Sequence, residues 1–242
     1  ALRRRWSLRR AAGESRWRLA LHMASWLRLF VRQTRWLRSL DARDTLRRAA
    51  QADPGLYERW HRPYISTHFD GGTRRRIVSS HYAFVMRRFP ARLGERIVSG
   101  GSARLATLRL DGATGAYLSL RKPSRGEAGA LVLLLLTLDK QVLASCILTF
   151  DRRDSVIIGA VGGAGPHTPV EAVREFIQAS HGLHPTDLLL SLVRKLATLH
   201  GLTRIRAVAS SARVGASLRG DDADGGDAFW RAQGGVPAAS GC

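Results

Sequence analysis

The sequence predicts an α/β protein of the α+β kind, with helices at the N-terminus and a mostly antiparallel central sheet flanked by further helices. Apolar residues recur at helical spacing as far as Val98, change to strand-like spacing after Gly100-Gly101, and return to helical spacing after Thr168. Two neighbouring runs, 131–138 and 142–150, are apolar at successive positions, as expected of central strands covered on both faces. With 242 residues, 45% of them hydrophobic and 24% charged, the chain can bury a sizeable core, and wholesale disorder is excluded.

From Ser15, Leu19, Met23, Trp26, Leu27, Phe30 and Leu37 recur at helical spacing while Arg18, Arg28, Arg32 and Arg35 fall mainly on the other side. This predicts a basic amphipathic helix to about Leu40. Asp41 is a candidate cap for a second helix to Ala52, and Asp53-Pro54-Gly55 breaks the chain. The pattern Ile77, Val78, His81, Tyr82, Val85, Met86, Phe89 predicts a helix over 73–89, ended by Pro90. A short helix to Val98 follows, closed by Gly100-Gly101. Five strands are predicted at 105–110, 117–121, 131–138, 142–150 and 155–161, with a tight hairpin at Asp139-Lys140. Helices are expected at 168–179 and 186–200, the second capped by Thr186 and stopped by Gly201, and a last strand at 204–209. The Gly- and Asp-rich stretch 215–226 reads as a surface loop before Phe229-Trp230. This divides the chain into a basic helical segment (1–55), an α/β core (56–214) and an irregular tail (215–242).

The formal net charge is +20, almost all of it arginine, since lysine occurs only at 122, 140 and 195. Arginine stays charged and grips phosphate with two donors, so an anionic partner fits. Codon usage in a GC-rich genome gives the same excess without function. Half of the charge lies in the first forty residues, where eleven arginines face one acid, Glu14. That segment could dock on an anionic membrane surface or nucleic acid through Arg18, Arg28, Arg32 and Arg35, with Trp6, Trp17, Trp26 and Trp36 as interfacial anchors. The tryptophans are eleven, nine and ten residues apart and do not share one helical face, so the alternative is that they pack on the following domain.

The most apolar run, 128–138, is too short to span a bilayer, and no integral membrane segment is expected. Arg3-Arg4-Arg5-Trp6 looks superficially like a twin-arginine export signal, but charges interrupt the apolar region that should follow. A buried Cys146 and a terminal Cys242 make no disulfide framework or zinc site and suit a reducing, cytoplasmic compartment. The chain begins at Ala1 rather than methionine and reads as trimmed or fragmentary.

Three places could carry chemistry. Gly162, Gly163 and Gly165 lie between a strand and a helix, where backbone N–H groups could meet a phosphate; no Walker or dinucleotide pattern surrounds them, and a flexible connection is the alternative. His181 and His184 stand three apart, as metal ligands can. Gly182 and Pro185 break a helix there and Asp187 is the only acid near, so a structural or capping role is expected and no metal. Cys146 lies within a strand and reads as an inert thiol.

Several short patterns occur in order: His81-Tyr82 ahead of Arg88-Phe89-Pro90, Leu148-Thr149-Phe150, Ile158-Gly159, His181-Gly182-Leu183 with Pro185, Leu188-Leu189-Leu190, Leu196-Ala197, Gly201, and Asp227-Ala228-Phe229-Trp230. In this order the stretch 59–235 resembles the bacterial VirK/YbjX family, whose biochemical activity is undefined. The resemblance implies an accessory protein linked to virulence, envelope stress or antimicrobial-peptide tolerance, acting by interaction. The chain departs from the family's pattern at Val161-Gly162-Gly163, at His184-Pro185-Thr186 and at Ser210-Ser211-Ala212-Arg213, and it stops soon after Phe229-Trp230 where relatives often continue. The order of meandering strands, glycine turn, amphipathic helix and closing strand also looks like the acyl-CoA N-acetyltransferase fold. That likeness implies a cofactor pyrophosphate, with acyl-CoA the possible cofactor, held near Gly182, Leu183, His184, Thr186 and Asp187. Pro185 removes one amide donor there, and the acetyltransferase glycine signature is absent.

Overall fold

A computed structural model of the chain describes residues 30–31, 33–38, 40–42, 44–52, 55–61, 63–111, 115–124, 129–152, 154–214 and 223–238, with backbone alone at 45, 48, 49, 52, 55, 58 and 223–225. The chain divides into two compact units, 1–47 and 48–242. In the first unit, residues 30–31, 33–38 and 40–41 are helical, with Trp36 and Leu40 buried and Arg35 exposed. Arg18, Arg28 and Arg32 lie outside the described residues, as do Trp6, Trp17 and Trp26. The second helix, α1 (Asp44–Ala52), does not start with Asp41 as its cap. Asp41 keeps helical backbone, and Asp44 occupies the first turn, where its charge meets the positive helix end and pairs with Arg47.

In the second unit a short helix α2 (Gly55–Glu58) runs into a 3-10 turn, Arg59–His61, that buries Trp60. The long helix α3 (Gly71–Arg88) is capped by Asp70, whose carboxylate accepts the Thr73 N–H at 2.7 Å. It buries Ile77, Val78, His81, Tyr82, Phe84 and Val85 on one side, as its spacing predicts. Phe89 is extended because the ring of Pro90 excludes helical backbone before it. A short helix α4 (Ala91–Val98) follows.

Six strands form one sheet in chain order: β1 (Ser102–Arg109), β2 (Gly115–Arg121), β3 (Leu131–Thr137), β4 (Val142–Asp151), β5 (Ser155–Gly162) and β6 (Arg204–Ala207). The first five are antiparallel neighbours joined by short connections. β6 lies parallel to β5, which requires a crossover, here α5 (Val170–Ala179) and α6 (Pro185–Leu199). At the β3–β4 turn the Lys140 N–H reaches the Thr137 carbonyl at 3.0 Å while Lys140 takes a left-handed φ of 66°. β3 is buried at six consecutive positions, so both faces are covered. Val132, Leu134 and Leu136 cluster with Tyr117 on one, and Leu131, Leu133 and Leu135 point to the other. The central placement of β3 and β4 matches sequences that are apolar on both faces.

Three further local expectations need correction. Thr186 does not cap α6: Pro185 holds the first helical position, for which its fixed φ and missing N–H are suited, and His184 precedes it without a side-chain cap. β6 ends at Ala207 rather than 209, because the chain leaves the sheet for a 3-10 turn, Ser210–Ala212. Of the stretch 215–226 expected as a loop, 215–222 lie outside the described residues, and Ala223 to Gly226 open a helix, α7 (Ala223–Ala232), that carries Phe229 and Trp230. Fixing Trp230 and Phe229 by packing outweighs the low helix propensity of two glycines.

Phe150 anchors this unit. It is fully buried, its ring stacks on Phe84 at 4.0 Å between centroids, and it also meets His81 and Phe89. Phe150→Ala should therefore lower the unfolding free energy by about 3–5 kcal/mol, measured by urea titration at neutral pH.

Candidate functional site

β6 pairs with β5 from Ser155 to Ile158, with further links from the Thr203 and Arg204 N–H groups to the Asp154 carbonyl at one end and from the Val208 N–H to the Ile158 carbonyl at 3.0 Å at the other. β5 continues to Gly162, so the two strands part. Beside this fork lies a cleft of about 520 Å³. Ile158 of β5, Leu190 and Val193 of α6, and Ile205 and Ala207 of β6 supply its apolar wall; Arg194, Arg206, Asp227, Trp230 and Arg231 add polar groups; and residues 233–238 run along it. A cavity of this size with a few convergent polar groups is the usual form of a small-molecule site.

Side chains tie α7 and the segment after it in place. Asp227 accepts the Ser210 N–H at 2.9 Å, and Arg194 donates to the Gln233 carbonyl at 3.3 Å and to its side-chain oxygen at 3.0 Å. Gln233 in turn donates to Asp187 at 3.2 Å. Gly226 allows the close approach, since a Cβ there would lie 2.5 Å from the Ser210 hydroxyl and 2.9 Å from the Arg213 guanidinium. Two donors on cleft residues, the Arg206 Nε–H and the Trp230 indole N–H, are buried without a hydrogen-bond partner among the described residues. Such orphaned donors are costly unless something accepts from them.

Arg206 is held from behind. Asp151, the last residue of β4 with 2% side-chain exposure, accepts from Arg206 Nη2 at 2.7 Å through one oxygen and from Arg76 Nη1 of α3 at 2.6 Å through the other. The Ser155 hydroxyl donates to the Asp151 carbonyl at 2.9 Å and fixes the turn. A second buried polar group joins α3 to β4: His81 Nδ1 accepts the Phe150 N–H at 3.2 Å, which leaves the proton of the neutral ring on Nε2. Burial first, and the neighbouring Arg59 charge second, hold the His81 pKa down at about 3. Burial pushes the Tyr64 hydroxyl well above its ordinary range, with Arg59 lying 5.9 Å from its ring centroid, and pushes the Cys146 thiol up to about 12. Cys146 is accordingly protonated at neutral pH, as its strand position suggests.

The residues singled out in the sequence are placed as follows. Gly182 follows α5 with a φ of 87°, next to His181 at 56°, and the exposed His181 Nε2 lies 3.2 Å from the Asp111 carboxylate. Leu183 is exposed, His184 precedes α6, and Thr186 and Asp187 lie in its first turn. None of these lines the cleft; Asp187 alone joins its rim, through Gln233. The Asp187 carboxylate already complements the helix N-terminus that an anion would use. Gly162 ends β5 and Gly163 follows, whereas the Gly165 N–H is spent on the Val142 carbonyl at 2.8 Å, which Thr168 Oγ1 also contacts at 2.9 Å. The loop is thus fastened to β4. Among the described residues no group of three or more His, Cys, Asp or Glu is placed to hold a metal, and no helix is long and apolar enough to cross a membrane. The sequence reading missed Asp151, Arg206 and Arg194. The one signal was an acid closing an otherwise apolar strand, which reads as a turn residue until its partners, 75 and 55 residues away, are known.

Two measurements test this framework. Asp151→Asn should cost about 2–3 kcal/mol of stability at neutral pH, less than a fully buried pair would, because Arg76 and Arg206 keep 35% and 31% side-chain exposure. His81 binds its proton less readily in the folded chain than in the unfolded one, so its contribution is intact above about pH 6.5 and is lost as pH falls toward 3. His81→Gln should make the pH slope of the unfolding free energy shallower by about 1.4 kcal/mol per unit across that window; an unchanged slope would refute the buried neutral imidazole.

Comparison with known proteins places the chain in a family without a defined activity. The uncharacterized protein YbjX of Escherichia coli (strain K12) is 24% identical over 212 residues, which is 83% of this chain and 64% of that protein, so the chain spans less than two thirds of the relative's length. No solved structure matches, and the acetyltransferase likeness rests on the order of elements alone. The model of the family described as "Protein of unknown function (DUF535)" matches residues 11–241, and the chain, whose ordered patterns resemble VirK and YbjX, belongs to that family.

Proposed function

We propose that this chain works by recognition: it binds an anionic amphiphile in the cleft between α6, β6 and α7, and through that binding serves the envelope-stress and peptide-tolerance role that the VirK/YbjX resemblance implies. The observation that carries this reading is the pairing, in one cleft of about 520 Å³, of an apolar wall with Arg194, Arg206 and Arg231. An acyl or aromatic body would lie on Leu190, Val193 and Ile205, and a carboxylate would accept from the guanidiniums that line the cleft. Asp151 supports this by fixing Arg206 before a ligand arrives, which lowers the ordering cost of binding.

A second reading, an acyl-CoA-dependent transferase, is favoured by the fork between β5 and β6. Pro185 at the start of α6 and the Asp187 carboxylate weigh against it, since both weaken that helix end as a pyrophosphate cradle.

Calorimetric titration of the full chain with laurate and, separately, acetyl-CoA distinguishes the two. Laurate should bind saturably, and Arg194→Gln combined with Trp230→Ala should weaken it by about tenfold or more. Binding of acetyl-CoA without laurate would favour the transferase; laurate binding indifferent to both substitutions would remove the cleft from consideration.

A further inference from the structure

A second recess, of about 490 Å³, opens where the last turn of α3 meets the β4–β5 turn, and Ser80, Ala83, Phe84, Arg87, Arg88 and Arg152 line it. All three arginines are exposed, and among the described residues none of them pairs with a carboxylate. Arg87 and Arg88 suit the negative end of their helix, but that end offers about half a charge against two guanidiniums, and Arg152 arrives from another element. Three like charges lining one recess repel one another, and among the described residues no carboxylate offsets that repulsion.

The two backbones that carry them are locked together. Phe84, in the recess, stacks on Phe150 of β4 at 4.0 Å, and Arg152 directly follows Asp151, whose carboxylate is gripped by Arg76 of the same helix at 2.6 Å. Arg152 holds a left-handed φ of 53° in that turn, so its side chain leaves the strand at a fixed point. The guanidiniums are therefore presented from rigid positions, and a ligand that bridges them need order only the side chains. The nearby His200 senses the same field: burial and then the Arg88 charge hold its imidazole below the ordinary range.

We propose that this recess binds a phosphomonoester. A phosphate monoester carries close to two negative charges at neutral pH and several acceptor oxygens, enough to engage more than two guanidinium forks at once, whereas a carboxylate or a phosphodiester offers one charge. The shared chemistry admits a soluble phosphate or the headgroup of a lipid such as phosphatidic acid. The site is separate from the cleft, and its success or failure leaves the laurate experiment untouched.

The test uses the full chain in two arms. Inorganic phosphate is titrated calorimetrically in chloride buffer at constant ionic strength, and vesicles containing phosphatidic acid are compared with phosphatidylglycerol vesicles of matched surface charge, which cancels attraction by the basic N-terminus. Saturable phosphate binding, or a preference for phosphatidic acid, supports the site and tells which source it takes. Arg87→Gln with Arg152→Gln should weaken the responding arm by about tenfold or more, and the Lys versions at the same positions by less, since they keep charge but lose the fork. Arg109→Gln, an exposed arginine on β1, should change nothing. A folded double variant that binds like the parent, as judged by an unaltered melting temperature, overturns the proposal, and so does the absence of both responses in the parent chain.

Discussion

The carboxylate of Asp151 is the point through which the fold and the cleft are joined. It closes β4 in a nearly water-free position, where an unpaired charge would be very costly, and each of its oxygens takes one guanidinium. One comes from a helix 75 residues earlier and the other from a strand 55 residues later. β6 needs this support, because it is four residues long, is the one parallel strand of the described sheet, and pairs with β5 over four positions. Arg206 thus does two things at once: it pins a short edge strand to the core and contributes a cationic side chain to the cleft.

Some of the residues that carry the family resemblance gather in two places once the chain folds. His81, Tyr82, Phe89, Thr149 and Phe150 meet in the interface between α3 and β4, where a neutral imidazole accepts a strand N–H and aromatic rings stack on one another. Thr149 belongs to the same polar seam, its hydroxyl accepting the Ala130 N–H at 3.1 Å. Ile158, Asp227 and Trp230 meet instead at the cleft. The first group is packing; the second surrounds open volume. A resemblance spread over 59–235 therefore contains both a structural core and one candidate surface of recognition.

The cationic groups that line the two recesses are arginine side chains. The glycine loop after β5 spends its Gly165 N–H on the neighbouring strand, and the first turn of α6 carries its own acid. Arginine, in contrast, is presented at fixed points in two recesses, one largely apolar and one cationic. The arginine excess of the sequence is thus concentrated, in part, where rigid elements converge. Bidentate donors on a rigid support recognise anions at lower entropic cost than flexible charge does.

The sequence by itself determined the succession of elements. Apolar period, turn residues and caps are local properties, and they place the long helix over 73–89, the five meandering strands, the central position of β3 and β4 and the two crossover helices. Where local signals competed, they misplaced ends: Pro185 overrode Thr186 as the start of α6, and Trp230 drew a glycine-bearing segment into a helix. Only the tertiary structure decided that Asp151 meets Arg76 and Arg206, that the chain after α7 borders a cleft, and that Arg152 joins Arg87 and Arg88. Those contacts link residues dozens of positions apart, and no periodicity can encode which arginine among thirty-six will face a given carboxylate. Distance along the chain hides such pairings, and the geometry of packed elements alone selects them.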